Sequence, residues 1–153
     1  MYKKILVPLD GSKLAECVLP HVEVIAKGCG LPQVIFLRVV EPGSGSEGYF
    51  GIEQKDLKQT DKENEVNAAQ YLADLVKRVK WNGIKTKSEV IMGRAFEDIV
   101  TYATKNGVDL ITISTHGRSG VSRWVWGSVA DRVLRSACVP ILMVRAPGCV
   151  PGI

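Results

Sequence analysis

No stretch of this 153-residue chain approaches the roughly 20 apolar residues in a row that a membrane-spanning helix requires. A membrane partner is therefore not expected. The opening MYKKILVPLD has two lysines but too few apolar residues for a secretory leader, and it reads instead as a strand. Cysteine is sparse. Cys17, Cys29, Cys138 and Cys149 share no CxxC spacing, which argues against a metal cluster or a disulfide framework and makes the cytoplasm the expected compartment. Only two histidines occur, His21 and His116, with no suitably spaced cysteines or acids, so no zinc site is expected. No single sign of charge dominates: 20 basic and 16 acidic residues are interspersed, for a net charge of +4, and no nucleic-acid partner is expected. GxxxxGK[ST] is missing, and no Ser-His-Asp or Cys-His arrangement can be assembled, so no residue is assigned a catalytic role.

What the chain does contain is an alternation of apolar runs and helical stripes. Strand-like runs cover Lys4 to Leu9, Val34 to Val40, Lys85 to Met92, Asp109 to Ile113 and Pro140 to Ala146. After the first run, Ser12 can cap a helix bearing Leu14, Cys17, Val18, His21, Val22, Ile25 and Ala26, closed by Gly28 and Gly30. Pro20 lies inside that helix and predicts a kink. A long polar helix reaching about Lys80 carries Ala68, Leu72, Leu75, Val76 and Val79 as its apolar stripe. The segment Ala95 to Lys105 turns Phe96, Ile99, Val100 and Ala103 inward, and VADRVLRSA forms a last helix. Strands alternating with helices imply a single α/β domain, with one open parallel sheet covered on both faces.

Between the fourth strand and the last helix lies STHGRSGVSRWVWGS, Ser114 to Ser128, with three glycines, five hydroxyl side chains and two arginines. Open α/β sheets bind phosphorylated ligands at such a strand-to-helix junction, where glycine-freed amides and a helix amino terminus attract anions. Ser128 reads as the helix N-cap, with Asp131 as the acidic half of a capping box. Arg118 and Arg123 either fork onto phosphate or are solvated. His116, Trp124 and Trp126 read as structural or packing residues. A GxGxxG match at Gly43, Gly45 and Gly48 follows a strand but opens no helix, and reads as a Gly/Ser loop. Three further positions sit at strand ends: Asp10 as a ribose acceptor or turn residue, Val39 as a base-edge backbone or core residue, and Gly93 as a close-approach or turn glycine.

MYKKILVPLDGS, MGRAFEDIV and STHGRSGVSRWVWGSVADRVL resemble the universal stress protein family, over about residues 2 to 146. The resemblance implies a five-stranded parallel sheet ordered 3-2-1-4-5, of the adenine nucleotide alpha-hydrolase-like, Rossmann-like kind. The domain would span residues 1–147, with 148–153 as a short C-terminal tail. One branch of the family binds ATP through G-x2-G-x9-G-[ST], and here Gly117, Gly127 and Ser128 fill the last three positions while Ser114 replaces the first glycine. Serine is small but has a Cβ, which costs more than glycine wherever φ is positive. The resemblance also implies that Pro8, Leu9 and Val39 line an adenine pocket, that Asp10 approaches the ribose or adenine edge, and that Gly93 lies near the phosphates. Ser114, His116, Gly117, Arg118, Ser119, Gly120, Gly127, Ser128 and Val129 would form the cradle. Mg2+ or Mn2+ would be held mainly by phosphate oxygens, and a homodimer would form through the last strand, Pro140 to Arg145. The expected role is an ATP-binding sensor or regulator of the stress response with at most slow hydrolysis; the alternative is a nucleotide-independent dimeric interaction module.

Overall fold

The computed structural model describes residues 2–30, 33–43, 54–115 and 127–146. In chain order these form β1 (Lys4–Pro8), a 3-10 turn (Ala15–Val18), α1 (Leu19–Gly28), β2 (Gln33–Val40) and α2 (Gln54–Arg78). They continue with β3 (Lys85–Met92), α3 (Ala95–Lys105), β4 (Leu110–Ser114), α4 (Ser128–Ser136) and β5 (Ile141–Val144). The strands make one parallel sheet in the order β3-β2-β1-β4-β5, as expected. Side-chain alternation along the strands divides the core between its two faces. Ile5, Val7, Val34 and Phe36 pack with Val22, Ala26, Leu72 and Leu75 of α1 and α2. On the opposite face Leu6, Ile35, Leu37 and Ile111 meet Ile99, Ala103, Ala130 and Val133 of α3 and α4. Each such fully buried aliphatic side chain contributes about 2 kcal/mol of transfer free energy, which is why both faces of the central strands are apolar.

Two local expectations are corrected. Pro20 does not kink a helix: the 3-10 turn ends at Val18 and α1 begins at Leu19, which places Pro20 in the first helical turn. There its missing N–H is one of the donors that a helix start leaves unpaired anyway. Ser12 acts ahead of that point, its Oγ accepting the Ala15 N–H at 3.1 Å. Ser128 is not the N-cap of α4. Gly127, extended at φ −48° and ψ 131°, takes that position, and Ser128 is the first helical residue. The Asp131 carboxylate accepts from Arg135 Nε at 2.9 Å, an i,i+4 pair along the helix instead of a capping box.

The sheet is not uniformly zipped. β1 pairs with β2 along its whole length, Lys4–Gln33 through Pro8–Leu37, but with β4 only at Ile5–Leu110 and Leu6–Ile111. Backbone alternation explains the difference. The Leu9 N–H donates to the Leu37 carbonyl, so odd positions of β1 face β2 and even positions face β4. The Ile111 and Thr115 N–H groups donate to the Pro140 and Val144 carbonyls of the β5 side, so Thr112 faces β1. The next rung of the parallel ladder would run from the N–H of position 8 to the Thr112 carbonyl, and Pro8 has none. The ladder lacks that rung. Replacing Pro8→Ala restores the donor, and the new amide at position 8 is then expected to be protected from hydrogen exchange by a ladder bond worth about 1 kcal/mol. Free exchange of that amide would contradict a rung lost to proline alone.

Candidate functional site

β1 lies between β2 and β4, so the chain's crossovers reverse direction at the β1–β4 boundary, where Pro8 ends the pairing. In open α/β sheets the crevice beyond this point is where ligands bind. Pro8 and Leu9 are buried at its floor. Asp10 turns the chain, its Oδ1 accepting the Ser12 N–H at 2.8 Å, so the turn role considered for Asp10 is realised. Gly11 follows with φ +85°. Val39 is packed against the α3/α4 core, yet its carbonyl faces the β1 side, one step beyond the bond from Leu9 N–H to the Leu37 carbonyl. Ser114, 8% exposed, ends β4 with its backbone toward β1. The chain leaves at Thr115 and returns at Gly127, whose N–H donates to the Thr115 carbonyl at 2.6 Å, so the two ends of the intervening segment are tied together. His116, Gly117, Arg118, Ser119 and Gly120 lie outside the described residues, as do Arg123, Trp124 and Trp126.

A cleft of about 600 Å3 gathers Gly93, Ser128 and Val129. It also includes Glu41, Pro42, Arg94, Phe96, Glu97 and Arg132. The amino ends of α3 and α4 both reach it, and they differ. At α3 the Arg94 N–H donates to Asp98 Oδ2 at 2.7 Å and the Ala95 N–H donates to Glu41 Oε1 at 3.2 Å. The Asp98 carboxylate lies against Gly93, where a Cβ would collide with it. Carboxylates thus already meet the first donors of α3. At α4 the capping position is glycine, which brings no side-chain acceptor. Arg132 lies one turn into α4, and its Cζ is 3.6 Å from the Phe96 ring centroid, a cation–π contact that bridges the two helices. The better anion-attracting end is that of α4, flanked by Arg132. Among the described residues no group of three or more His, Cys, Asp or Glu side chains could hold a metal ion.

Sequence reasoning missed Glu41, Arg94, Phe96 and Arg132, and it also missed Arg38 of β2, whose guanidinium packs on Gly11. Arg38 had a visible signal: it is the one charged residue in the apolar run VIFLRVV. Glu41 and Arg132 had none, since exposed charges in a loop and on a helix resemble any solvated surface.

The universal stress protein family matches residues 1–145, nearly the whole chain. The chain belongs to this family. It is 33% identical over 150 residues to the universal stress protein MJ0531 of Methanocaldococcus jannaschii, which covers 96% of this chain and 84% of that one. The solved structure of MJ0577 superposes with a TM-score of 0.76 at 28% identity, covering 97% of this chain and 99% of the other. Two more distant structures share the universal stress protein fold. One is a universal stress protein in complex with cAMP, with TM-score 0.68, 19% identity, and 95% and 98% of the two chains covered. The other is a universal stress protein family protein of Arabidopsis thaliana with AMP bound, with TM-score 0.63, 13% identity, and 95% and 93% covered.

Proposed function

We propose that this universal stress protein binds an adenine nucleotide, ATP, in the β1–β4 crevice and acts as a homodimeric sensor or regulator of the stress response. The observation that carries this reading is the reversal of strand order beside β1, where the carboxyl ends of β1, β2 and β4 carry Asp10, Val39 and Ser114. Two proteins of the same fold hold cAMP and AMP, which supports an adenine nucleotide as ligand class. In this reading Pro8, Leu9 and Val39 line the base, and Asp10 accepts from the ribose. Gly117, Gly127, Ser128 and Val129 receive the phosphates at the amino end of α4. The triphosphate would bring Mg2+ or Mn2+ with it, and the ion would supply charge neutralisation. The cradle's hinge reaches the edge of the sheet: the Thr115 N–H donates to the Val144 carbonyl of β5 at 2.9 Å, so a nucleotide that shifts Thr115 acts directly on the proposed dimer strand.

A second reading, a dimeric interaction module without nucleotide, is favoured by Ser114, whose buried side chain takes space where glycine would leave it open. Calorimetric titration of ATP into nucleotide-free protein separates the two. The ATP reading expects saturable heat that Gly117→Val abolishes. No heat from the folded, unmodified protein favours the module instead, and equal binding by Gly117→Val moves the site away from the cradle.

The dimer has its own test. β5 is an edge strand, and since the Pro140 and Val144 carbonyls face β4, Ile141 and Met143 turn their backbone groups outward. Met143→Pro removes an outward N–H while sparing the β4 ladder. Sedimentation is expected to show a dimer for the unmodified protein and a folded monomer for the variant. A dimer that survives Met143→Pro places the interface elsewhere.

A further inference from the structure

A closed chain of contacts leaves the Asp10 turn, passes through α2 and returns to Gly11. Asp10 Oδ1 holds the Ser12 N–H, and Ser12 Oγ accepts the Ala15 N–H that opens the 3-10 turn carrying Glu16. Glu16 Oε1 then accepts from the Tyr71 hydroxyl at 3.1 Å and from Arg78 Nη2 at 3.0 Å. The Glu16 side chain is 11% exposed; its bond to Tyr71 is partly buried, while the Arg78 end of the ion pair is exposed. Burial, then the Glu16 carboxylate, pushes the Tyr71 phenol above its ordinary range. Arg38 Cζ lies 5.6 Å from the Tyr71 ring centroid, within cation–π reach. The same guanidinium rests on Gly11, where a Cβ would collide with Nη1 and sit 3.0 Å from Cζ. Glycine is favoured at position 11 by its φ of +85°, and the Arg38 guanidinium fills the space a Cβ would take.

We propose that Arg38 is a positioning residue: clamped between Tyr71 and Gly11, it fixes the Asp10–Ser12 turn for the ribose side of a bound nucleotide. This deepens the nucleotide reading above and rests on it. Arg38 is a half-buried charged side chain near the carboxyl end of an interior strand, and its desolvation costs free energy unless it is paired. What Arg38 gives in return is a second anchor. The Asp10 turn is held from its own end by Ser12 and Ala15, and from across the sheet by α2 through Tyr71 and Arg38. Each contact is weak alone. In a ring, each restricts the motion that would loosen the others, and the carboxylate is pre-set for its ligand instead of being ordered at binding.

The test titrates ATP, 2′,3′-dideoxy-ATP and inorganic tripolyphosphate into the unmodified protein, Arg38→Lys and Arg38→Met, and measures amide hydrogen exchange at Ser12 without ligand. Arg38→Met is expected to weaken ATP about tenfold, the effect of losing one hydrogen bond to a charged group. Tripolyphosphate affinity stays unchanged, and ATP and its dideoxy analogue become equal. Ser12 exchange accelerates while Ile111 in β4 stays protected. Arg38→Lys falls between, since lysine keeps the charge but not the planar face. A parallel loss for ATP and tripolyphosphate, or unaltered Ser12 exchange, overturns the proposal. If the unmodified protein binds no ATP, the nucleotide reading fails on its own, and Ser12 exchange still decides whether Arg38 holds the turn.

Discussion

Pro8 withholds one backbone donor from the β1–β4 ladder, and the candidate site of this protein depends on that missing bond. An unbroken ladder would tie the N–H of position 8 to the Thr112 carbonyl. Beyond the missing rung β1 leads into the Asp10 turn and β4 runs on to Ser114, at the point where the order of strands reverses. The β1–β2 side is unaffected, because proline's nitrogen faces the other way. A single residue thus removes a rung on one side only, at the place where the order of strands reverses.

The polar groups around the crevice divide into those already engaged and those that could meet a ligand. At the amino end of α3, Glu41 and Asp98 take the first amides, and Gly93 leaves space for the Asp98 carboxylate. At α4, Gly127 caps without a side chain and commits its own N–H to the Thr115 carbonyl, drawing the end of β4 and the start of the helix together. Gly127 and Ser128 thus stand at a helix start whose N-cap residue makes no side-chain hydrogen bond, while Asp131 in its first turn pairs with Arg135. The coupling outward also has a path, since Thr115 lies between Gly127 and the edge strand β5.

Much of the fold was legible in the sequence because each strand is an almost unbroken apolar run and each helix carries a stripe at its own period. β3 and α3 begin and end where periodicity placed them, at Lys85–Met92 and Ala95–Lys105. Errors fell where backbone geometry outweighs side-chain pattern. Pro20 has the same apolar neighbours whether it interrupts a helix or begins one, and Ser128 looks like a cap until Gly127 is seen to occupy that geometry. At the candidate site, Asp10, Gly93, Ser114 and Gly127 could be named from strand ends and glycines, since those features are local. Arg38, Tyr71 and Glu16 could not be linked, because their contacts join segments more than 20 residues apart. Pro8 was visible in the sequence, but its consequence depends on which neighbour its nitrogen faces, and that is a property of the register.

The claim that the switch point beside Pro8 is a nucleotide site is tested most directly by mapping backbone amide shifts in isotopically labelled protein as ATP is added. Saturable shifts are expected at Leu9 to Gly11, Val39 and Val40, Ser114 and Thr115, and Gly127 to Val129. The outer face of α2 and the β3 edge should stay unchanged. Saturable shifts confined to α2 or to β3, with the crevice residues still, would contradict it.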